Sequence, residues 1–182
     1  HRRCPEQRDK NSRLPVLDVW VASPEQMEEA LKYPFVDMIS LDLSGDNQLF
    51  SDEKTGLTER FADILEVYRK KITDAGKKAG FCMPQVFRDN SSRFYRTDIC
   101  IKLLERFDWI WVRTYDELGF ILGETGIEPG RIGLNERLYV FSGEAQRAFA
   151  DLGLTHYTAS PELNRKELGH MPNAGAEFCV YG

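Results

Sequence analysis

The chain has 182 residues, of which 42% are hydrophobic and 29% charged, a composition typical of a soluble globular protein with one buried core. Its formal net charge of -5 argues against binding to nucleic acid through nonspecific phosphate contacts, although a local basic groove is compatible with it. No signal-peptide core and no apolar run near the length of a membrane span is visible. We therefore expect a cytoplasmic protein without a membrane partner.

Cysteine and histidine usage argues against a metal site in this chain. The four cysteines show no CxxC or zinc spacing, and three of them lie in or beside apolar segments. We expect buried free thiols in a reducing compartment. The three histidines have no partner at metal-ligand spacing, and no HExxH, GxSxG or P-loop pattern occurs. The prediction is no metal and no cofactor within these residues.

The first half of the chain alternates predicted strands and helices. Residues 1–13 are polar and read as a connector, and residues 14–182 as one domain. A strand is predicted over 17–22, and Ser23 then caps a helix from Pro24 to about Tyr33, with Gln26 completing a capping box. Further elements are strands over 38–43 and 81–87 and, between them, an amphipathic helix that runs from Leu57 to a terminator at Gly76 or Gly80.

The second half repeats this alternation. Capping residues at 89–92 and apolar residues up to Phe107 predict one helix, followed by a strand over 108–115. Asp116 is expected to cap a short helix through Leu122. A strand over 132–134 and an apolar run over 138–141 precede a helix that Ser142 opens and Gly153 stops. After a strand over 155–158, Ser160-Pro161-Glu162 predicts a helix start, and 176–181 is the last strand.

Seven strands and six helices in strict alternation predict a parallel sheet covered by helices. A closed (β/α) barrel needs eight strands, so we predict a barrel-like fold that is related to the TIM barrel and incomplete. A doubly wound open sheet is the alternative. An incomplete barrel exposes the edges of its first and last strands, where we expect association or a swapped contact.

Ligands of parallel β/α folds bind at the carboxyl ends of the strands, and this rule selects the candidate site. In the strand over 108–115, Trp109, Trp111, Arg113 and Tyr115 share one face. The arginines suit a carboxylate or a phosphate, or they pair with nearby acids as a structural network. The catalytic residues stay unknown, and the candidates for substrate binding are Asp42, Gln85, Arg88, Arg113, Asn135 and Glu162.

Five segments stand out in chain order: MPQVFRD at 83–89, WVRTYDEL at 111–118, LYVFSGEA at 138–145, SPELNRKEL at 160–168 and EFCVYG at 177–182. Together they resemble the collagenase-like peptidases of family U-32, specifically the second half of the long bacterial members. The resemblance runs from Leu14 to Gly182.

The resemblance implies a barrel-like β/α domain of a peptidase whose catalytic type is unassigned. It also implies partners, namely the remaining domains of a longer protein and a peptide or RNA substrate. Some relatives hydroxylate RNA bases with an iron-sulfur cluster, whose cysteines are expected beyond Gly182, so the cluster belongs to the full-length protein and these residues alone are expected to be inactive. The family signature matches at Glu177 and Gly182, while Cys179 replaces its phenylalanine.

A second departure lies at Leu138–Gly143, where the family commonly has Leu-Asn-Val-Phe-Asn-Ser. Tyr139, Ser142 and Gly143 stand where two asparagines and a serine are usual. The loss of two amides removes hydrogen-bonding groups from the expected site. Three functions follow as hypotheses: a peptidase domain, a noncatalytic scaffold or binding domain, and part of an iron-sulfur enzyme of RNA hydroxylation.

Overall fold

The computed structural model describes residues 16–43, 56–87, 89–169 and 175–180. The predicted connector, residues 1–13, and Arg88 lie outside these ranges.

One parallel sheet organises the described residues. Its strands follow in chain order, and each pairs in parallel with the next. They are β1 (Asp18–Val21), β2 (Met38–Leu41), β3 (Lys78–Cys82), β4 (Trp109–Val112), β5 (Ile132–Leu134), β6 (His156–Thr158) and β7 (Ala176–Glu177). This order confirms the predicted incomplete, barrel-like α/β fold, because sequential parallel strands form a curled sheet rather than a doubly wound one.

Helices connect the strands. They are α1 (Pro24–Leu31), α2 (Gly56–Asp74), α3 (Asp89–Tyr95), α4 (Asp98–Leu104), α5 (Tyr115–Glu124), α6 (Gly143–Ala150) and α7 (Arg165–Leu168), with short 3₁₀ turns at Pro129–Arg131 and Glu136–Leu138. None of the described helices has the length and apolar character that crossing a bilayer requires.

The first helix confirms the predicted start at Pro24 and the Ser23 cap. The predicted capping box is wrong, because the side chain of Gln26 binds the backbone of Ala22 and not that of Ser23. The Ser23 hydroxyl accepts a hydrogen bond from the Gln26 backbone at 3.3 Å. The Gln26 side chain turns back and accepts from the Ala22 backbone N–H at 2.7 Å. The start of α1 was therefore encoded locally, by two side chains that satisfy backbone donors without a helical partner.

Other element boundaries differ from the prediction because another residue provides the cap. The single helix expected over 89–107 is two helices, since Thr97 adopts an extended conformation and caps α4 through Cys100 N. Thr114 rather than Asp116 caps α5. Asn164 caps α7, so the Ser160 start is wrong and 161–162 form a turn. Strand β3 runs over Lys78–Cys82 and not over 81–87.

The two faces of the sheet have different chemistry. Alternate residues such as Ile39, Phe81 and Ile110 point to the outer face and pack with helix residues such as Phe61 and Leu65 in one large apolar core. The inner face, opposite the helices, carries a second cluster. It consists of Met38, Cys82 and Trp111, with Trp20 and Trp109 packed against them.

Two glycines make room for the large inner-face side chains. A Cβ added to Gly133 would lie 2.3 Å from the ring of Trp111, and one added to Gly80 would lie 2.1 Å from Ser40 Oγ. Both glycines are in the middle of strands, where glycine weakens a sheet unless another group must approach closely. The tryptophan layer therefore depends on the missing side chains of β3 and β5.

Substitution of Gly133 by alanine should destabilise the fold by about 1–3 kcal/mol, because the new methyl group overlaps the Trp111 ring. The maximum of tryptophan emission should shift at the same time. Urea unfolding followed by circular dichroism measures the first effect. Gly119→Ala in α5 is the matched control, since no described residue outside its own helix backbone and chain neighbours comes within 4 Å of a Cβ added there. That control should be stabilised by about 0.5–1 kcal/mol, and equal effects of the two substitutions would refute the packing argument.

Candidate functional site

An ion pair between Asp42 and Arg113 forms the centre of the carboxyl edge of the sheet. These residues follow β2 and β4, so the pair bridges the end of β3. Arg113 Nη1 donates to Asp42 Oδ1 at 3.1 Å, and Nη2 donates to Oδ2. The guanidinium lies over the ring of Trp20, 5.5 Å from its centroid. Three strands thus fix one bidentate fork.

Solvent reaches the two partners unequally. The side chain of Arg113 is 5% exposed, whereas that of Asp42 is 21% exposed. An incoming ligand therefore meets carboxylate oxygens before it meets the guanidinium. The structure thus shows Arg113 paired with a nearby acid, which is one of the two alternatives that the sequence offered. The other, anion binding by Arg113, stays a prediction.

Asn135 also lies at this edge, buried at the end of β5. Its Oδ1 accepts from the Arg137 backbone at 3.3 Å and caps the short 3₁₀ turn. The backbone N–H of Asn135 continues the hydrogen bonding between β5 and β4 by donating to Val112 O at 2.9 Å. Both contacts show Asn135 fixing the backbone that leaves β5.

Two of the remaining candidates, Gln85 and Glu162, do not join this pair. Gln85 is exposed beyond the end of β3, and Glu162 is exposed in the turn that follows Ser160. The Glu162 backbone donates to Ser160 Oγ at 3.3 Å. Arg88 lies outside the described residues. Of the six candidates, the structure thus brings Asp42 and Arg113 into direct contact.

Glu117 is a buried acid at the same edge that the sequence analysis did not select. Its Oε2 accepts from the backbone N–H of Arg113 at 2.6 Å and of Thr114 at 3.1 Å. Its Oε1 is buried and has no hydrogen-bond partner in the described part of the chain. Burial raises the pKa of Glu117 to about 7, opposed by the two backbone donors and the charge of Arg113. The Thr-x-x-Glu spacing of a capping box was the signal that could have identified it.

A chain of hydrogen bonds crosses the inner face below the edge. Trp111 Nε1 donates to Ser40 Oγ at 3.2 Å, and Ser40 Oγ donates to Asp18 Oδ2 at 2.8 Å. Trp20 Nε1 donates to the same carboxylate at 2.9 Å. Burial raises the pKa of Asp18, and these donors partly offset the effect. The tryptophan layer is therefore both packed and hydrogen-bonded.

A second inner-face acid comes from the last strand. Glu177 Oε2 accepts from the Thr158 hydroxyl at 3.2 Å. Burial and, after it, the charge of Asp18 raise the pKa of Glu177 to about 7. On β4 and β6, which flank β5, Trp109 and His156 meet edge to face with ring centroids 4.6 Å apart. The Trp109 Nε1 is buried without an acceptor among the described residues.

Within the described ranges, no three His, Cys, Asp or Glu side chains come together as metal ligands. Comparison with protein-family models, with curated proteins and with solved structures finds no match for this chain. The resemblance to family U-32 peptidases, and the iron-sulfur cluster that it implies for a longer protein, stay predictions from the sequence.

The buried Glu117 predicts a pH dependence of stability. Its pKa rises from 4.5 to about 7 on folding, so the folded protein holds this proton more tightly than the unfolded chain. The contribution is fully present below pH 4.5 and is lost as the pH rises through about 7. Between about pH 5 and about pH 8 it amounts to at most about 3 kcal/mol.

Urea unfolding at several pH values of Glu117→Gln and wild type tests this prediction. The variant should show a shallower loss of stability with pH, not a flat profile, because Glu177 contributes in the same direction. Asp116→Asn, an exposed neighbour on α5, is the control and should keep the wild-type slope. An unchanged slope in Glu117→Gln would contradict the assignment of this titration.

Proposed function

We propose that this chain is a domain of a collagenase-like peptidase of the U-32 type and binds a polypeptide substrate at the carboxyl edge of its sheet. Two independent lines support the proposal. Five segments of the sequence resemble that family in order and spacing, and the parallel, incomplete barrel is the fold that the resemblance implies. Binding at the carboxyl edge follows the rule for parallel β/α folds.

The observation that carries the proposal is the Asp42–Arg113 pair. Burial of an ion pair costs free energy unless its geometry is favourable and other groups also contact the charges. Here the Asp42–Arg113 pair is bidentate, and the guanidinium is stacked on Trp20. The more exposed partner is the carboxylate. Carboxylate oxygens accept hydrogen bonds from backbone amides and amines, which an extended polypeptide offers in a regular row. Arg113 then orients Asp42 toward that row.

Peptide hydrolysis by the full-length protein tests the proposal, with casein and heat-denatured collagen as substrates. Arg113→Lys keeps the charge but loses the bidentate fork, so kcat/KM should fall by about tenfold or more. Asp42→Asn should produce a loss of similar size. Circular dichroism and the unfolding midpoint establish that the variants remain folded.

Arg96→Lys is the matched control for Arg113→Lys. Arg96 also pairs with a carboxylate, that of Glu124 at 2.9 Å, and lies 5.6 Å and 5.5 Å from the rings of Phe87 and Phe120. Arg96 lies in the turn between α3 and α4 and Glu124 at the end of α5, so the pair does not lie at the carboxyl end of a strand. The control should keep wild-type activity. Equal activity of wild type, Arg113→Lys and Asp42→Asn would reject the edge as the substrate site.

A noncatalytic scaffold is the second candidate function, and the environment of Glu117 favours it. A carboxyl group with a pKa of about 7 is suited to general acid-base catalysis. Glu117, however, is fully buried, and its Oε2 caps α5. Glu117, the strongest candidate for acid-base catalysis at the edge, thus stabilises the start of α5. Absence of casein and collagen cleavage by the folded full-length protein would select the scaffold.

A further inference from the structure

The first and last strands of the sheet each have one open edge. In the described ranges β1 pairs with β2 and β7 with β6, and neither has a neighbour on its other side. The carbonyl of Gly175 accepts from Tyr157 of β6 at 3.2 Å, and that of Glu177 accepts from Ala159, directly after β6, at 2.8 Å. Backbone groups alternate in direction along a strand, so those of Ala176 face the open side.

Two acids on the inner face mark the sides of this opening. Asp18 belongs to β1 and Glu177 to β7, and the register places both on the face that carries the tryptophans. Burial is the largest cause of the raised pKa of Glu177, and the charge of Asp18 is the next. The two carboxyl groups are therefore close enough across the opening to repel each other.

The described residues provide donors but no cation for these acids. Asp18 accepts from Ser40 and Trp20, and Glu177 accepts from Thr158. Within the part of the chain that the structure describes, no ion pair to a lysine or arginine involves either acid. The negative charge of Glu136 raises the pKa of Glu177 further. A cation placed between Asp18 and Glu177 would offset both the free-energy cost of burying the two carboxylates and the repulsion between them.

We propose that the opening between β7 and β1 binds one extended strand of a partner polypeptide, with an arginine of that strand pointing inward between Asp18 and Glu177. A strand suits the opening because both edges offer unpaired backbone groups. Arginine suits the acids because its five N–H donors can bridge two carboxylates. The outward side chains of the strand are apolar, as in β2 and β4, because they extend the face that packs on helices. This inference does not depend on the proposed peptidase function.

Tryptophan fluorescence provides the test, because all three tryptophans of the chain lie on the inner face. The probe is the capped heptapeptide Val-Thr-Val-Arg-Val-Thr-Val, and the control peptide has glutamine in place of arginine. At about pH 8 the arginine peptide should bind at least about tenfold more tightly. Its affinity should weaken as the pH falls to about 6, where Glu177 becomes protonated, whereas the affinity of the glutamine peptide should not.

Variants assign the preference to the two acids. Glu177→Gln, and Asp18→Asn combined with it, should reduce the preference for the arginine peptide to about twofold or less. Glu144→Gln, an exposed acid on α6, should retain it. Circular dichroism verifies folding, and the single Glu177→Gln variant decides the question if the double variant does not fold. Equal affinity for both peptides, absence of binding, or an unchanged preference in folded Glu177→Gln would overturn the proposal.

Discussion

The fit of Trp111 against Gly133 is the constraint on which the inner face depends. A side chain at Gly133 would occupy the space of the indole ring, and a side chain at Gly80 would displace Ser40, which receives the indole N–H. These two glycines lie on the strands that flank β4. An aromatic side chain buries a large apolar area, so the contact offsets the weakness that a glycine introduces in a strand. The inner face therefore combines Gly80 and Gly133, which lack side chains, with the large side chain of Trp111 on the strand between them.

Trp20 connects this packing to the carboxyl edge. Its ring meets that of Trp111 at 5.4 Å between centroids, and its other contact is the guanidinium of Arg113 at 5.5 Å. Its indole N–H is held by Asp18. One side chain thus supports the edge ion pair from below while the inner network fixes its orientation. A change in the tryptophan layer should consequently reach the Asp42–Arg113 pair through Trp20, without any change in either charged residue.

The sequence predicted features with a local cause and missed those that depend on distant contacts. The alternation that places Trp109, Trp111 and Arg113 on one face is a property of any strand and could be predicted directly. Tyr115 was assigned to the same face, but the Thr114 cap turns it into the first residue of α5, where it is exposed. Whether Arg113 pairs with an acid could not be decided, because Asp42 is 71 residues away.

Caps and glycines show the same division between local and distant causes. Several residues near each helix start can cap it, and the packing of the whole helix selects one, as at Thr97 and Asn164. A glycine within a strand indicates a close approach, but only the fold identifies the group that approaches. The close fit of Gly133 to Trp111 was for this reason invisible in the sequence, although both residues were in predicted strands.

Protonation decides the charge that the carboxyl edge presents near neutral pH. Asp42 and Arg113 cancel each other, and Glu117, with a pKa of about 7, is close to half protonated there. Both backbone donors bind Oε2 of Glu117, and its Oε1 has no hydrogen-bond partner among the described residues. Protonation therefore removes the free-energy cost of burying a charged carboxylate that is only half satisfied. Among Asp42, Arg113 and Glu117, no positive charge is thus left uncompensated. A neutral, polar chain such as a polypeptide backbone fits such an edge better than a phosphate, which needs a surplus of cations.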